Sequence, residues 1–488
     1  MEDRGLRKKT VSGVVWNFLE LSGRQGVSIL VTVAPARFLA PEDFGLIAMV
    51  SVFFSLANAI MDGGLNQGVI RRKDAGRDDL DTLFYANGAL SLLAYILLFL
   101  SAPSIAAYFG QPVLSRLVRI SGTVVIINSF RIVQATDLTR RLDFKLQFKA
   151  SVPAGILSGA AAVLLAAAGA GVWSLVAQMI LSSLFTVLFY WRLNSWRPSL
   201  SFSWGIFREL FGFGWKFLLS WLLEIFFRNI YILVIGRLFS STLAGYYFFA
   251  MKIRDMILSQ VTASIQKATY PALASISGED GRLKDAYRKI VQATVYLVFP
   301  AMVLLAALAR PLFGLFLNPR WIPAAGYLQI LCAVAIVYPL NVINLNILKV
   351  KGRSGLFLGL EIFKKGLAVL VLVLSVRYGI PGLLLGQVLT SFLSYIPNSF
   401  FSVRLIQYPV SEQVRDVLPA LAAALLSGGT VLAAGFLLPW GSRGVLFILF
   451  QGAIGCVSYL AFATILGVES QQIFFFLLRE RLFRKEHG

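Results

Sequence analysis

Apolar runs close to twenty residues long follow one another from about residue 12 to residue 467, and ten basic side chains lie inside them. These are Arg24, Arg119, Arg131, Lys216, Arg228, Lys252, Arg254, Lys267, Lys364 and Lys365. Continuous runs of this length call for helices, which satisfy their own backbone in lipid. Barrel strands would be runs of about ten residues alternating apolar and polar. A cation at the bilayer centre costs roughly 2.5–3.5 kcal/mol. So many are kept only where most face water, an opposite charge or an anionic ligand. The expected fold class is all-α and polytopic, with a wet, positively charged interior.

Hydrophobic residues make up 57% of the 488 and charged residues 14%, against about 25% charged in soluble domains. The net charge of +21 would suggest nucleic acid in a soluble protein. Here the basic residues sit mostly in short loops between apolar runs, so no nucleic-acid partner is expected. Cys332 and Cys456 lie in apolar runs and offer neither metal spacing nor a disulfide framework. His487 is in the tail. Gly212-x-Gly214 lacks the preceding strand and third glycine of a nucleotide fingerprint. No metal, cofactor or enzymatic centre is expected. Arg4, Arg7, Lys8 and Lys9 imitate the start of a signal peptide, and Ala34-Pro35-Ala36 a cleavage site. Glu20 and Arg24 interrupt the apolar stretch between them, so the first span is read as retained.

Hydropathy and breaker residues define about 14 spans, at approximately 12–36, 44–69, 83–107, 113–138, 147–168, 172–192, 213–236, 243–270, 286–309, 322–348, 354–376, 380–403, 416–438 and 443–467. With a cytoplasmic N-terminus, the inner segments hold roughly 28 Lys and Arg and the outer ones about 7. That bias places both termini in the cytoplasm. The tail after Val468, with Arg479, Arg481, Arg484 and Lys485, suits an interfacial amphipathic helix or a disordered basic tail.

The first six spans resemble the next six. Glu20-x-x-x-Arg24-Gln25 matches Glu224-x-x-x-Arg228-Asn229, and Ala36-Arg37-Phe38 precedes Gly45 as Gly236-Arg237-Leu238 precedes Gly245. Ala102-Pro103 echoes Arg310-Pro311, and Gly171-Val172 echoes Gly379-Ile380. Six is an even number, so the copies share one orientation, which makes a parallel repeat about a pseudo-twofold axis along the membrane normal. The expected organisation is an N-terminal lobe over 1–200 and a C-terminal lobe over 201–408. Two extra spans over 409–467 and a basic tail over 468–488 follow.

Glu20/Arg24 and Glu224/Arg228 are each spaced i,i+4 and so share a helix face, with the arginines near the middle of their spans. Intramembrane ionisable residues are functional candidates by default. The reading is that Arg24 and Arg228 line a path between the lobes and contact an anionic headgroup. The alternative is two neutralised structural pairs. Lys252, Arg254 and Asp255 on span 8, and Glu361, Lys364 and Lys365 on span 11, add depth charge to the C-terminal lobe. Arg131 is expected to pair with Asp137. Arg119, Lys216 and Lys267 lie nearer span ends and are expected to snorkel. Pro271, Pro300, Pro339 and Pro397 mark candidate kinks.

Residues 36–46 (Ala-Arg-Phe-Leu-Ala-Pro-Glu-Asp-Phe-Gly-Leu), Asp62-Gly63-Gly64-Leu65 and Arg71-Arg72-Lys73-Asp74 resemble the polysaccharide-transport branch of the multidrug/oligosaccharidyl-lipid/polysaccharide exporter superfamily. These are the Wzx-type flippases, colanic-acid exporters among them. Residues 140–145, Ile235-Gly236-Arg237, Gly245-Tyr246-Tyr247 and Tyr270-Pro271-Ala272-Leu273 extend the resemblance over most of 10–405. It implies 14 helices in two six-helix lobes. The implied activity is export of undecaprenyl-pyrophosphate-linked oligosaccharide repeat units across the bacterial inner membrane for capsule, exopolysaccharide or O-antigen. A polysaccharide polymerase and glycosyltransferases are the implied protein partners, and membrane lipids the surroundings. Arg24, Arg228, Lys252, Arg254, Lys364 and Lys365 are then expected to contact headgroup or sugar. Glu20, Glu224 and Glu361 are expected to orient cations or carry coupling protons. Tyr231 stands where many relatives carry an acid, which puts ion coupling in doubt. Competing readings are a cation-coupled multidrug antiporter, which a cationic interior disfavours, and a lipid II flippase. A membrane polymerase or ligase would be expected to carry a large external loop.

Overall fold

The computed structural model of the chain describes residues 23–72, 74–276, 278, 280–437 and 444–471, with the backbone alone at 260–272, 274, 275, 280, 349 and 354. Glu20, the start of the first span and the basic tail lie outside the described residues. The described residues form helices and short connections, with no strand among them. Helix α1 covers 23–36. It is followed by α2 (Pro41–Asp62), α3 (Leu65–Arg71), α4 (Arg77–Phe109), α5 (Val113–Arg140), α6 (Phe144–Ala167), α7 (Val172–Leu193) and α8 (Trp204–Leu238). Then come α9 (Ser241–Ser275), α10 (Asp280–Phe316), α11 (Ile322–Val350), α12 (Ser354–Ser375), α13 (Gly379–Ile406), α14 (Val410–Leu437) and α15 (Val445–Ile465).

Local chemistry sets the helix starts. Pro41 opens α2 with Glu42 and Asp43 in its first turn, and Asp43 Oδ2 accepts the Ala40 N–H at 3.0 Å. This satisfies an orphan donor and complements the helix dipole. Asp143 Oδ1 accepts the Leu146 N–H at 3.1 Å to cap α6, and Ser203 does the same for α8. The second expected span, 44–69, is divided. Gly63 (φ 55°) ends α2 and Gly64 (φ 73°) begins α3, a pair of left-handed residues that only glycine adopts freely.

Eleven stretches of the described helices are long and apolar enough to cross a bilayer, one of them, Gly355–Ile406, taking in both α12 and α13. Helix α9 is not among them. It carries Lys252, Arg254, Asp255 and Lys267 amid serine, threonine and glutamine. Helices α4, α8, α9 and α10 have 33, 35, 35 and 37 residues, so at about 1.5 Å per residue each is roughly 50 Å long. That exceeds a hydrocarbon core of about 30 Å. Except in α9, the expected spans are the apolar middles of these longer helices. Pro300, Pro339 and Pro397 lie inside α10, α11 and α13 without ending them.

The chain forms two compact units, Met1–Phe248 and Phe249–Gly488. In the first, α4 packs on α5, α5 on α7 and α6 on α7. In the second, α10 packs on α11, α11 on α13 and α12 on α13. The same pairings therefore recur in the same chain order. Gly171 (φ 55°, ψ −137°) and Gly379 (φ 68°, ψ −161°) precede or open the last helix of each set in one backbone conformation that a side chain would strain. Both observations support the internal repeat. The first unit also holds α8, which packs on α2, α3 and α4.

In the second unit α14 and α15 pack on α10 and on each other. Ala420, Ala423, Ala424, Ser427, Gly428 and Val431 are the buried face of α14. Small residues let helix backbones approach where lipid removes the hydrophobic drive, and Ser427 Oγ donates to Gly455 O of α15 at 2.7 Å. A buried polar network joins the same unit's helix ends. Asn344 Oδ1 accepts from Tyr287 and Ser402 at 2.6 and 2.7 Å, and its amide donates to Gln413 at 3.2 Å.

Candidate functional site

Helix α5 carries polar residues every third position through its C-terminal half: Asn128, Arg131, Gln134 and Asp137. Three of the four are tied to neighbours. Asn128 donates to Asn58 of α2 at 3.1 Å and accepts from Ser183 of α7 at 2.6 Å. Gln134 donates to Trp196 O at 3.2 Å and accepts from Asn194 at 2.7 Å. Asp137 accepts from Arg141 Nε at 2.9 Å and Asn194 Nδ2 at 3.1 Å.

Arg131 is the exception. Its expected pairing with Asp137 does not form, because six residues turn a side chain about 240° around a helix and Arg141 already holds that carboxylate. The Arg131 side chain is partly buried, its Nε makes no hydrogen bond, and no acid among the described residues pairs with it. It lies nine residues before the Arg140 end of α5, roughly 14 Å along the axis. Arg24 of α1 and Tyr190 of α7 lie within its electrostatic reach. Asn58, Asn128, Ser183 and Tyr190 were not among the expected site residues. Their signal was isolated polar side chains in apolar runs.

The remaining candidates fall as follows. Arg24 and Arg228 are exposed in the protein alone. Glu224 is also exposed and makes no ion pair with Arg228. Of the candidate cations in the second unit, Arg254 and Lys364 meet an acid of their own helix. Arg254 Nε and Nη2 donate to Asp255 Oδ1 at 2.9 and 2.6 Å, and Lys364 Nζ lies 2.5 Å from Glu361 Oε1. Lys252 and Lys365 are partly buried. Arg119 packs on the Phe99 ring at 4.4 Å. Tyr231 stacks on Tyr247 with ring centroids 6.1 Å apart. No cluster of three potential metal ligands occurs among the described residues.

Two close helix crossings join α8 and α9 to α2 and α3. A Cβ on Gly45 would lie 1.7 Å from Ser241 O, and one on Gly245 1.8 Å from Pro41 O. A Cβ on Gly64 would lie 2.2 Å from Gly214 O. Backbone meets backbone at both crossings.

Over 410 residues the chain is 24% identical to the lipopolysaccharide biosynthesis protein WzxC of Escherichia coli (strain K12), covering 82% of each chain. It is 26% identical over 314 residues to the succinoglycan biosynthesis transport protein ExoT of Rhizobium meliloti (strain 1021), covering 64% of each. Its fold is similar to that of the lipid II flippase MurJ in an inward closed conformation, with a TM-score of 0.72 at 12% identity over 93% of this chain and 98% of that one. The family model described as polysaccharide biosynthesis protein matches residues 35–326, and this multi-pass membrane chain belongs to that family.

Proposed function

We propose that the chain is a flippase moving undecaprenyl-pyrophosphate-linked oligosaccharide repeat units across the bacterial inner membrane, for capsule, exopolysaccharide or O-antigen synthesis. The observation that carries this reading is the partly buried Arg131, its Nε unbonded and with no described acid on it, in a family of polysaccharide biosynthesis proteins. Pyrophosphate is small, doubly anionic or more, and heavily hydrated. Burying it unpaired is very costly, and guanidiniums replace its lost water with charge-assisted hydrogen bonds. The lipid tail stays in the bilayer while the head passes along the polar seam.

In this mechanism Arg24, Arg131 and Arg228 take the pyrophosphate, and Lys252, Arg254, Lys364 and Lys365 contact it or the sugars. Glu20, Glu224 and Glu361 orient these cations or carry coupling protons. The repeat lobes, 1–200 and 201–408, rock against each other, so the α2–α9 and α3–α8 crossings part in turn. Both termini are cytoplasmic by the excess of Lys and Arg in the inner loops. Glycosyltransferases supply the lipid-linked unit and a polymerase consumes it.

The test is polymer export in a strain lacking its own exporter. Arg24→Ala and Arg228→Ala are expected to abolish export while the protein still accumulates in the membrane. Normal export by the double variant would discard the site. Rescue of a strain lacking its lipid II flippase would transfer the substrate assignment to that lipid.

A further inference from the structure

The polar stripe of α5 ends at a cavity of about 850 Å³ in the first unit, where the connections after α3, α5 and α7 meet. Its wall holds five guanidiniums, Arg72, Arg77, Arg140, Arg141 and Arg197, against the single carboxylate of Asp137. Three further acids reach it from outside: Asp79 on Arg72 at 2.7 Å, Asp81 near Arg77 at 3.9 Å, and Glu209 at 3.5 Å from Arg72. With all four acids counted, the site keeps a positive excess.

Arg72, Arg77 and Arg141 each meet a carboxylate, whereas Arg140 and Arg197 are held by groups that do not neutralise them. Arg197 Nη1 donates to Asn194 O and Trp196 O, both at 2.7 Å, and Nη2 donates to Trp191 O, with the guanidinium 5.4 Å from the Trp191 ring centroid. These three bonds use three of its five N–H donors. Arg140 Nη1 donates to Ala75 O at 2.8 Å. The connection carrying Arg197 is fastened to α4, since Tyr85 donates to Ser199 O at 3.0 Å and the Ser199 N–H to Asp81 at 3.2 Å. Arg77 and Arg141 remain 67% and 56% exposed, so a ligand can reach them.

We infer that this cavity is a second anion site that binds a phosphoryl or pyrophosphoryl group, separate from the Arg24–Arg131 seam. Forked guanidiniums fixed on a rigid frame match the geometry of phosphate oxygens, and the volume is that of an ordinary ligand pocket. The cavity faces the cytoplasm on the proposed orientation, and this sidedness rests on that reading. The phosphoryl group can belong to an anionic lipid in the membrane or to a lipid-linked or soluble pyrophosphate.

The test is calorimetric titration of sodium pyrophosphate into the full chain in phosphatidylcholine nanodiscs at low salt. Saturable binding is expected, weakened at least tenfold by Arg77→Glu, whose side chain is 67% exposed, and at least tenfold by Arg197→Gln. Binding persists in an Arg24→Ala/Arg131→Ala background. Adding phosphatidylglycerol to the disc distinguishes the sources. Competition identifies a lipid headgroup as the occupant, and its absence a pyrophosphate-bearing molecule. Lack of saturation in phosphatidylcholine, unchanged affinity in both pocket variants, or loss of binding in the Arg24→Ala/Arg131→Ala background overturns the proposal. Transport by the seam can fail its own test without affecting this result.

Discussion

Gly45 and Gly245 occupy matching positions of the internal repeat and meet each other, with Gly45 against Ser241 and Gly245 against Pro41. A side chain on either would lie under 2 Å from a main-chain oxygen of the opposite helix. Relief at this crossing has to come from the backbone, because no flexible side chain is there to yield. Gly45→Ala or Gly245→Ala is therefore expected to force α2 and α9 apart, at about 1–3 kcal/mol of overpacking, and to lower polymer export at least tenfold. Gly88→Ala, with open space around its Cβ, is the control and is expected to export normally. Export assayed beside membrane protein level checks the pair.

Arg131 presents a case where stability and transport are expected to oppose each other. A partly buried cation with an unbonded Nε lowers stability, and removing such a charge in favour of an apolar residue gains roughly 1–3 kcal/mol. Arg131→Leu is expected to raise the thermal midpoint of the detergent-purified protein while abolishing export. Arg131→Lys keeps a charge but loses the fork, and is expected to retain partial export. A purely structural arginine gives the reverse result, with the leucine variant less stable and export following protein level.

The legible part of this fold was what the backbone chemistry demands. Glycine at Gly171 and Gly379 reports a φ that other residues avoid, and Gly45 and Gly245 report close helix approach, so the repeat could be traced from them. Apolar runs located the apolar middles of α4, α8 and α10. They could not locate the ends, because the outer turns of these helices are polar and read as loop. Gly63-Gly64 lay inside an apolar run, and hydropathy does not register the change of direction there. The fate of Arg131 was hidden for a different reason. Whether a cation meets an acid depends on the distance between helices, and only the packing of α1, α5 and α7 supplies it. The Arg72–Arg197 cavity draws on three connections far apart in the chain, each of which looks like an ordinary basic inner loop.

The second unit offers a stability test remote from the seam. Arg288 Nε and Nη2 donate to the two oxygens of Asp416, both at 2.6 Å, and Tyr408 donates to the same carboxylate at 2.7 Å. The Asp416 side chain is 4% exposed and that of Arg288 40%. Breaking a fully buried pair costs about 3–5 kcal/mol, and partial exposure of the arginine reduces this to roughly 2–3 kcal/mol. Asp416→Asn is expected to lower the thermal midpoint by several degrees, and Tyr408→Phe by less, as one hydrogen bond is worth about 1 kcal/mol. An unchanged midpoint for Asp416→Asn would show that the pair only decorates the helix ends.

The two backbone crossings lie at opposite ends of α2 and α3, and their opening should be separable by side of the membrane. Ser241 is 4% exposed beside Gly45, and Leu210 3% exposed beside Gly68. Each can carry a cysteine reporter once the exposed Cys456 is replaced by serine. With both crossings closed, Ser241→Cys and Leu210→Cys are expected to resist a membrane-impermeant maleimide. Adding Gly45→Ala props the first crossing and is expected to raise labelling of Ser241→Cys from the outer side at least fivefold, leaving Leu210→Cys protected. Adding Gly214→Ala acts on the second crossing, where a Cβ would lie 2.7 Å from the Gly64 carbonyl carbon, and is expected to expose Leu210→Cys to reagent inside inverted vesicles alone. If each propping substitution exposes both reporters, the helices loosen as one body. The crossings then do not act as separate gates.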